Sequence, residues 1–306
     1  MKRKNSIDVC VINEMAAQGA QVIVDYSERR YHSEIKQVAR AILAGLGRLK
    51  IVLIAGPSGS GKTTTAELLR QQLEQEGVGS ATVSLDDFFI DNRHLPVLKD
   101  GTPDFESVYA LDLSLLHRCF QELAQQGKTC IPQFDFTLGR ANGYKKICID
   151  QSHLLLVEGL HALNPLLVPS GMRDQVFRVY ISVQSEFEMD RLQVLSSRDI
   201  RLMRRMLRDY KHRNSSIERT MKLWRNVRVG ERKYIAPFKN QADEVIDSIH
   251  LYEPMLYRDL LLPLLPLHPD KIYQPKIAQI RQALDLFDPL TIGNIPENSM
   301  INEFIL

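Results

Sequence analysis

This chain of 306 residues has little of several things that would announce a specialised class. It has almost no excess of one charge: Lys and Arg number 39, Asp and Glu 37, for a formal balance of +2. Such a balance implies no polyanionic partner and argues against nucleic acid. Cysteine is scarce and unpatterned, since Cys10, Cys119, Cys130 and Cys148 form no CxxC pair and no ligand spacing with histidine. This excludes a disulfide framework or a zinc ribbon and fits the reduced thiols of a cytoplasmic protein. No apolar run is long enough to span a bilayer. Leu260 to Leu267 is too short and is interrupted by Pro263 and Pro266. Met1-Lys2-Arg3-Lys4 is basic, but Asp8 and Glu14 break up the next stretch, so no secretory apolar region forms. There is no internal repeat and no low-complexity tract. What remains is an ordinary globular composition, long enough for one large domain or two modest ones.

Against this plain background one stretch stands out. Ile51-Val52-Leu53-Ile54-Ala55 reads as a fully buried parallel strand, with no polar alternation. Gly56-Pro57-Ser58-Gly59-Ser60-Gly61-Lys62-Thr63 comes next and matches the G-x-x-x-x-G-K-[ST] spacing of a phosphate-binding P-loop. The glycines admit backbone conformations closed to other residues. Successive N–H groups then turn inward as an anion nest, and the next helix points its positive end at the phosphates. Leu68, Leu69 and Leu73 share one face of that helix. The expected nucleotide contacts are Gly56, Ser58, Gly59, Ser60, Gly61, Lys62, Thr63 and Thr64. Lys62 would reach the β/γ-phosphates and the Thr63 hydroxyl would meet Mg²⁺.

The rest of the chain divides into residues 1–48, a short leader and a helix from about Ser33 to Leu46; 49–262, the P-loop domain; and 263–306, a C-terminal extension packed upon it. Further strands are expected at Ser80 to Leu85, Lys146 to Asp150, His153 to Val157, Val176 to Val183 and Val245 to Ile249. Asp91 to Tyr109, with Asp100-Gly101, reads as a polar loop and Leu111 to Gln126 as an amphipathic helix. Glu186 to about Gly230 reads as helical, and so does the region around Lys276 to Leu286. Alternating strands and helices predict an α/β fold with a mostly parallel sheet covered on both faces. In such folds ligands sit beyond the carboxyl ends of the strands.

Polar residues at those ends are therefore informative. Glu158 succeeds Leu154-Leu155-Leu156-Val157, where a P-loop protein needs a carboxylate for Mg²⁺. Asp86 succeeds the neighbouring strand and fits a base that accepts a hydroxyl proton; Asp87 would point the other way and cap the next turn. Arg201, Arg204, Arg205 and Arg208 share one helical face opposite Leu202, Met203, Met206 and Leu207. Read as a row of cations without acidic partners at i±4, that face is either solvated or a lid over the transition-state charge.

These motifs occur in one order: the P-loop, Ser84-Leu85-Asp86-Asp87-Phe88-Phe89, Ala110-Leu111-Asp112, Phe134-Asp135-Phe136, Glu158-Gly159-Leu160-His161-Ala162-Leu163, and Arg204-Arg205-Met206-Leu207-Arg208-Asp209. The set resembles the uridine kinase branch of the phosphoribulokinase/uridine kinase family of P-loop kinases, over roughly Ile51 to Tyr257. The segment Ile295 to Phe304 resembles the end of bacterial uridine-kinase-like proteins. The resemblance implies a three-layer P-loop NTPase fold with a helical lid, and ATP and Mg²⁺ as cofactors. It implies Lys62 on the phosphates, with Thr63, Asp86 and Glu158 around Mg²⁺. Asp86 would also orient or deprotonate the acceptor. Arg204 would be a nucleotide contact, and Arg205 and Arg208 catalytic lid residues. Glu106 falls where the family holds ribose hydroxyls, with Asp104 as competitor, and Phe134 lies at the base.

Two departures concern the acceptor. Uridine and cytidine kinases usually carry Tyr-Asp-Phe and then a histidine, whereas here Thr137-Leu138-Gly139-Arg140 comes after Phe134-Asp135-Phe136. Their Arg-Gly-Arg is replaced by Arg213-Asn214-Ser215. The expected activity is phosphoryl transfer to a small-molecule hydroxyl, foremost the 5′-hydroxyl of a nucleoside, in a cytoplasmic protein that could form a homo-oligomer. A sugar-phosphate kinase and a non-catalytic nucleotide-dependent switch are the alternatives. A guanine-specific switch would need Asn-Lys-x-Asp, and Lys239-Asn240-Gln241-Ala242-Asp243 has the wrong order.

Overall fold

The computed structural model describes residues 5–98, 101–150, 153–290, 293 and 295–306. Met1 to Lys4 and Asp100, named above, lie outside them. The elements are, in order, β1 Ser6–Asp8, α1 Val9–Ala17, α2 Ala20–Ala44, β2 Ile51–Ala55, α3 Lys62–Gln75, β3 Ser80–Ser84, α4 Leu113–Gln126, β4 Lys128–Asp135, β5 Arg140–Cys148, β6 Leu154–Gly159, β7 Val176–Ser182, β8 Glu186–Met189, β9 Leu192–Leu195, α5 Ser197–Arg213, α6 Ile217–Gly230, β10 Glu244–Asp247, α7 Glu253–Leu261, α8 Gln274–Leu284 and α9 Asn302–Ile305.

Five strands form an all-parallel sheet in the order β10-β7-β2-β6-β3. Successive side chains of a strand alternate between faces, and β2 divides its residues accordingly. Ile51, Leu53 and Ala55 enter a core with Leu116, Phe120 and Leu123 of α4 and Ile131 and Ile147 of the β4–β5 hairpin. Val52 and Ile54 enter the opposite core with residues of α2, α3, α5, α7 and α8 and with Met300 and Phe304. The result is the expected three-layer α/β architecture, and β2 and β6 are buried throughout because helices cover both faces. Residues on both sides of the 48/49 and 262/263 boundaries share that second core.

From β2 the chain runs to the edge strand β3, returns to β6 between them, then crosses to β7 on the far side of β2. The loops after β2, β3 and β6 therefore open at the switch point where ligands bind in such sheets.

Three expectations differ from the structure. The helix expected from about Ser33 begins at Ala20, and β1 and α1 precede it. Ile23, Val24, Ser27 and Tyr31 continue the buried face, but the polar run Ser27-Glu28-Arg29-Arg30 hides its apolar stripe. Glu186 to Leu195 is a hairpin, not helix, and it pairs with β1 as a small separate sheet. Its turn places Asp190 and Arg191 at φ 52° and 65°, two adjacent left-handed residues that reverse the chain tightly. The strand expected at Lys146 to Asp150 is the end of the longer β5, which pairs antiparallel with β4. Nearly all of β5 is exposed, so it lacks the apolar alternation that marks a half-buried strand.

Candidate active site

The phosphate loop leaves β2 under tight steric control. A Cβ on Gly56 would run into the carbonyl oxygen of Ile181. Gly59 and Gly61 hold φ at 73° and 81°, the left-handed region that glycine enters without a Cβ penalty. Gly61 caps α3, so the unpaired N–H groups of its first turn open onto the loop. Ser60 is fully buried and its Oγ has no partner among the described residues.

Helix α5 grips this loop. Arg201 Nε donates to the carbonyl of Ser58 at 2.9 Å, Arg204 Nη1 to that of Gly59 at 3.1 Å, and Arg205 Nη1 to Ser58 Oγ at 2.9 Å. The arginine face is thus neither solvated nor swung clear of the loop. Nor is it short of acidic partners. Asp209, four residues after Arg205, lies 3.1 Å from Arg205 and 3.3 Å from Arg208, and Arg201 pairs with Glu231. Arg201 also lies beneath Trp224 of α6, its Cζ 5.4 Å from the ring centroid.

Arg204 departs from its expected role. It is fully buried, and Nε and Nη2 bond Glu253 while Nη1 and Nη2 also bond Ser248. With the Gly59 contact, all five of its N–H donors are used inside the protein. It braces the loop and has no donor left for a phosphate.

The carboxylates lie where register puts them. Glu158, at the end of β6, stands between Ile54 of β2 and Ser84 of β3. It is 5% exposed and accepts a 2.7 Å hydrogen bond from Ser84 Oγ. Burial raises its pKa, with Lys62 opposing and Asp86 reinforcing the shift. Asp86 is exposed in the short 3₁₀ turn Leu85–Phe88. Asp87 turns away and accepts the backbone N–H of Phe134 at 3.3 Å, tying the β4–β5 hairpin to the site.

A cavity of about 580 Å³ is lined by Ser58, Lys62, Asp86, Asp104, Glu106, Arg205 and Arg208. Residues more than a hundred positions apart in the chain thus share one wall. Thr63 and Glu158 do not line it. Phe134 does not line it either: the aromatic wall is Phe89, Phe105 and Phe136, and Phe134 backs them with ring centroids 5.7 Å from Phe89 and 5.0 Å from Phe136.

Glu106 and Asp104 separate by hydrogen bonding. Asp104 is occupied, accepting from the Tyr234 hydroxyl at 3.1 Å and from the Glu106 backbone N–H. Glu106 Oε2 is buried without a partner among the described residues. Burial pushes the Glu106 carboxyl up to about 7, against the pull of nearby Arg205, with Glu231 and Asp104 adding to the rise. The end of α6 covers it, since a Cβ on Gly230 would run into Glu106 Cβ. His161, also in the wall, is lowered to about 4 by burial and stays neutral.

Among the described residues no group of three or more His, Cys, Asp or Glu side chains could hold a metal ion. Mg²⁺ needs no such cage; it keeps waters and takes one or two carboxylates beside substrate phosphates. Thr63 at the first turn of α3, with Asp86 and Glu158 at the adjoining strand ends, is a donor set of that kind. Among the described residues no helix is long and apolar enough to cross a membrane.

Sequence reasoning misses the acidic partners Asp209, Glu231 and Glu253 and three residues near the C-terminus: Met300, Glu303 and Phe304. The i+4 spacing of Arg205 and Asp209 is a readable signal. For the others no local pattern points across the fold.

A glycine-pinned phosphate loop, a lysine and a carboxylate around one cavity at the switch point of a parallel sheet define a P-loop phosphotransferase. The Phosphoribulokinase / Uridine kinase family matches residues 51–252, and the chain belongs to this family of kinases. A uridine kinase of Staphylococcus epidermidis is 27% identical over 203 residues, covering 66% of this chain and 88% of that protein. A uridine kinase of Brevibacillus brevis is 27% identical over 202 residues, covering 66% and 86%. Among solved structures, one described as a "putative fructose transport system kinase" from Silicibacter sp. TM1040 superposes with a TM-score of 0.51 at 18% identity, covering 69% of this chain and 98% of that one. That likeness concerns the fold.

Proposed function

We propose that the protein transfers the γ-phosphoryl group of ATP to the 5′-hydroxyl of a nucleoside, in the cytoplasm. The observation that carries this reading is the shared cavity: Lys62 of the donor loop, Asp86 and the aromatic wall line the same space. The flat rings of Phe89, Phe105 and Phe136 suit a nucleobase. Glu106, with Oε2 unpaired among the described residues and a carboxyl raised to about 7, so divided between its two forms near neutral pH, suits ribose hydroxyls as donor and acceptor together.

In this mechanism Lys62 and the loop N–H groups bind the phosphates. Thr63, Asp86 and Glu158 are the residues that would hold Mg²⁺, which neutralises charge on the transferring group when bound. Asp86 accepts the proton of the attacking hydroxyl. Arg205 and Arg208, fixed by Asp209, offset charge that spreads over the phosphoryl oxygens.

A second reading has its own support. Arg213, Arg219 and Lys233 line the same cavity, and such cations suit a phosphorylated sugar. An ADP-release assay over a panel of nucleosides and sugar phosphates separates the two. Turnover with a nucleoside is expected; silence on every nucleoside with turnover on a sugar phosphate would overturn the leading reading.

A further inference from the structure

The chain's own C-terminal segment lies against the phosphate loop. Thr64 Oγ1, in the first turn of α3, donates a 3.0 Å hydrogen bond to Glu303 Oε2. Phe304 is fully buried with its ring centroid 5.2 Å from Arg204 Cζ. Met300, also fully buried, packs so closely on Gly61 that a Cβ there would meet its Sδ. Ser299 Oγ donates to Glu28 Oε1 at 2.6 Å, and Lys211 Nζ bonds the backbone oxygen of Ile305.

One of these contacts offers the loop what a nucleotide phosphate offers it, and the others hold the segment in place. An anionic oxygen meets a hydroxyl at the positive end of α3, while the Phe304 ring on Arg204, itself bonded to Gly59, seats the segment beside the loop. A threonine hydroxyl has one hydrogen to donate, so Glu303 and a phosphate oxygen cannot both take it. A bound phosphate would also stand close to a like charge.

We propose that residues 299–305 are an internal nucleotide-mimicking plug, with Glu303 competing against a nucleotide phosphate for Thr64 and being displaced when the nucleotide binds. This rests on the reading of Gly56 to Thr63 as a nucleotide site. Phe304 and Ile305 are buried in the core and hold this single turn, Asn302–Ile305, in place, whereas the Glu303 side chain is only half-buried and can swing off Thr64 while Ser299 stays anchored on Glu28. While the plug is seated, the binding-competent fraction is small and nucleotide affinity falls in proportion.

The test is calorimetric titration of the full chain with ADP, without Mg²⁺, for the wild type and Glu303→Ala. The variant should bind about tenfold more tightly, within the range of known coupling between sites, at an unchanged melting temperature. Equal or weaker binding overturns the plug. Should the variant fold poorly, hydrogen exchange on the wild type decides: ADP should speed exchange at the amides of residues 302–306, and unchanged or slower exchange overturns the proposal. ADP binding to neither protein overturns the plug together with the nucleotide site. Tighter ADP binding by the variant, with no transfer to any acceptor, upholds the plug and overturns only the kinase reading.

Discussion

Glu106 makes the molecule's stability depend on pH in a way one substitution should remove. In the folded protein its carboxyl titrates near 7, whereas the unfolded chain releases the same proton near 4.5. Between those values the folded state binds more protons than the unfolded state, so stability falls as pH rises. The stability associated with the retained proton is fully present below 4.5 and lost as pH climbs through 7. Each pH unit between the two titrations is worth about 1.4 kcal/mol, so the full window holds about 3 kcal/mol as an upper bound. Glu106→Gln keeps the shape and cannot ionise. At pH 8 it should unfold at higher denaturant than the wild type, by up to about 3 kcal/mol. Towards pH 4.5 the two should converge. Chemical denaturation curves at half-unit steps from about pH 5 to 8 measure the difference directly. Parallel curves, with a constant offset across that range, would refute the assignment of a buried protonated carboxyl at Glu106.

Four further substitutions address the phosphate side. Lys62→Ala should abolish ADP release while the melting temperature holds, and unchanged turnover would remove the loop from the chemistry. Asp86→Asn should lower kcat by roughly 10²–10⁴-fold if the carboxylate accepts the hydroxyl proton; a change in KM alone would make it a binding residue. Arg204→Met and Arg205→Ala should behave as opposites. The first leaves Glu253 buried without its partner and should cost about 3–5 kcal/mol in an unfolding titration. The second should cut kcat by about a hundredfold with a much smaller effect on stability. Equal stability losses from both would make Arg205 a brace like its neighbour.

How much of this is legible in the sequence depends on where each signal resides. The P-loop is readable because its function is carried by contiguous backbone, and glycine positions encode that backbone. The placement of Glu158 and Asp86 is readable because an acid at or just past the carboxyl end of a strand falls at a known end of the sheet. Arg204 and Arg205 are not separable by spacing. Both sit on the face that meets the loop, and only the position of Glu253, 49 residues on, commits one of them to the interior. The α2 helix and the Glu186–Leu195 hairpin mislead pattern reasoning for one shared reason. Charged residues such as Glu28 and Glu186 occupy positions that such reasoning assigns to solvent or to another element, and tertiary contacts decide them. The aromatic wall takes Phe136, in the turn beyond the end of β4 at Asp135, while Phe134 inside the strand backs it, and no strand pattern in the sequence reaches that turn.

Trp224 has a practical consequence. It is the chain's sole tryptophan, and the Arg201 guanidinium beneath its ring is bonded to the phosphate loop through Ser58. The molecule therefore carries an unlabelled optical probe at a defined place. Selective excitation of this one indole reports on a single arginine, one contact away from the loop. A shift in its emission on adding nucleotide would time the movement of loop and helix in a stopped-flow instrument, with no engineered fluorophore to disturb either.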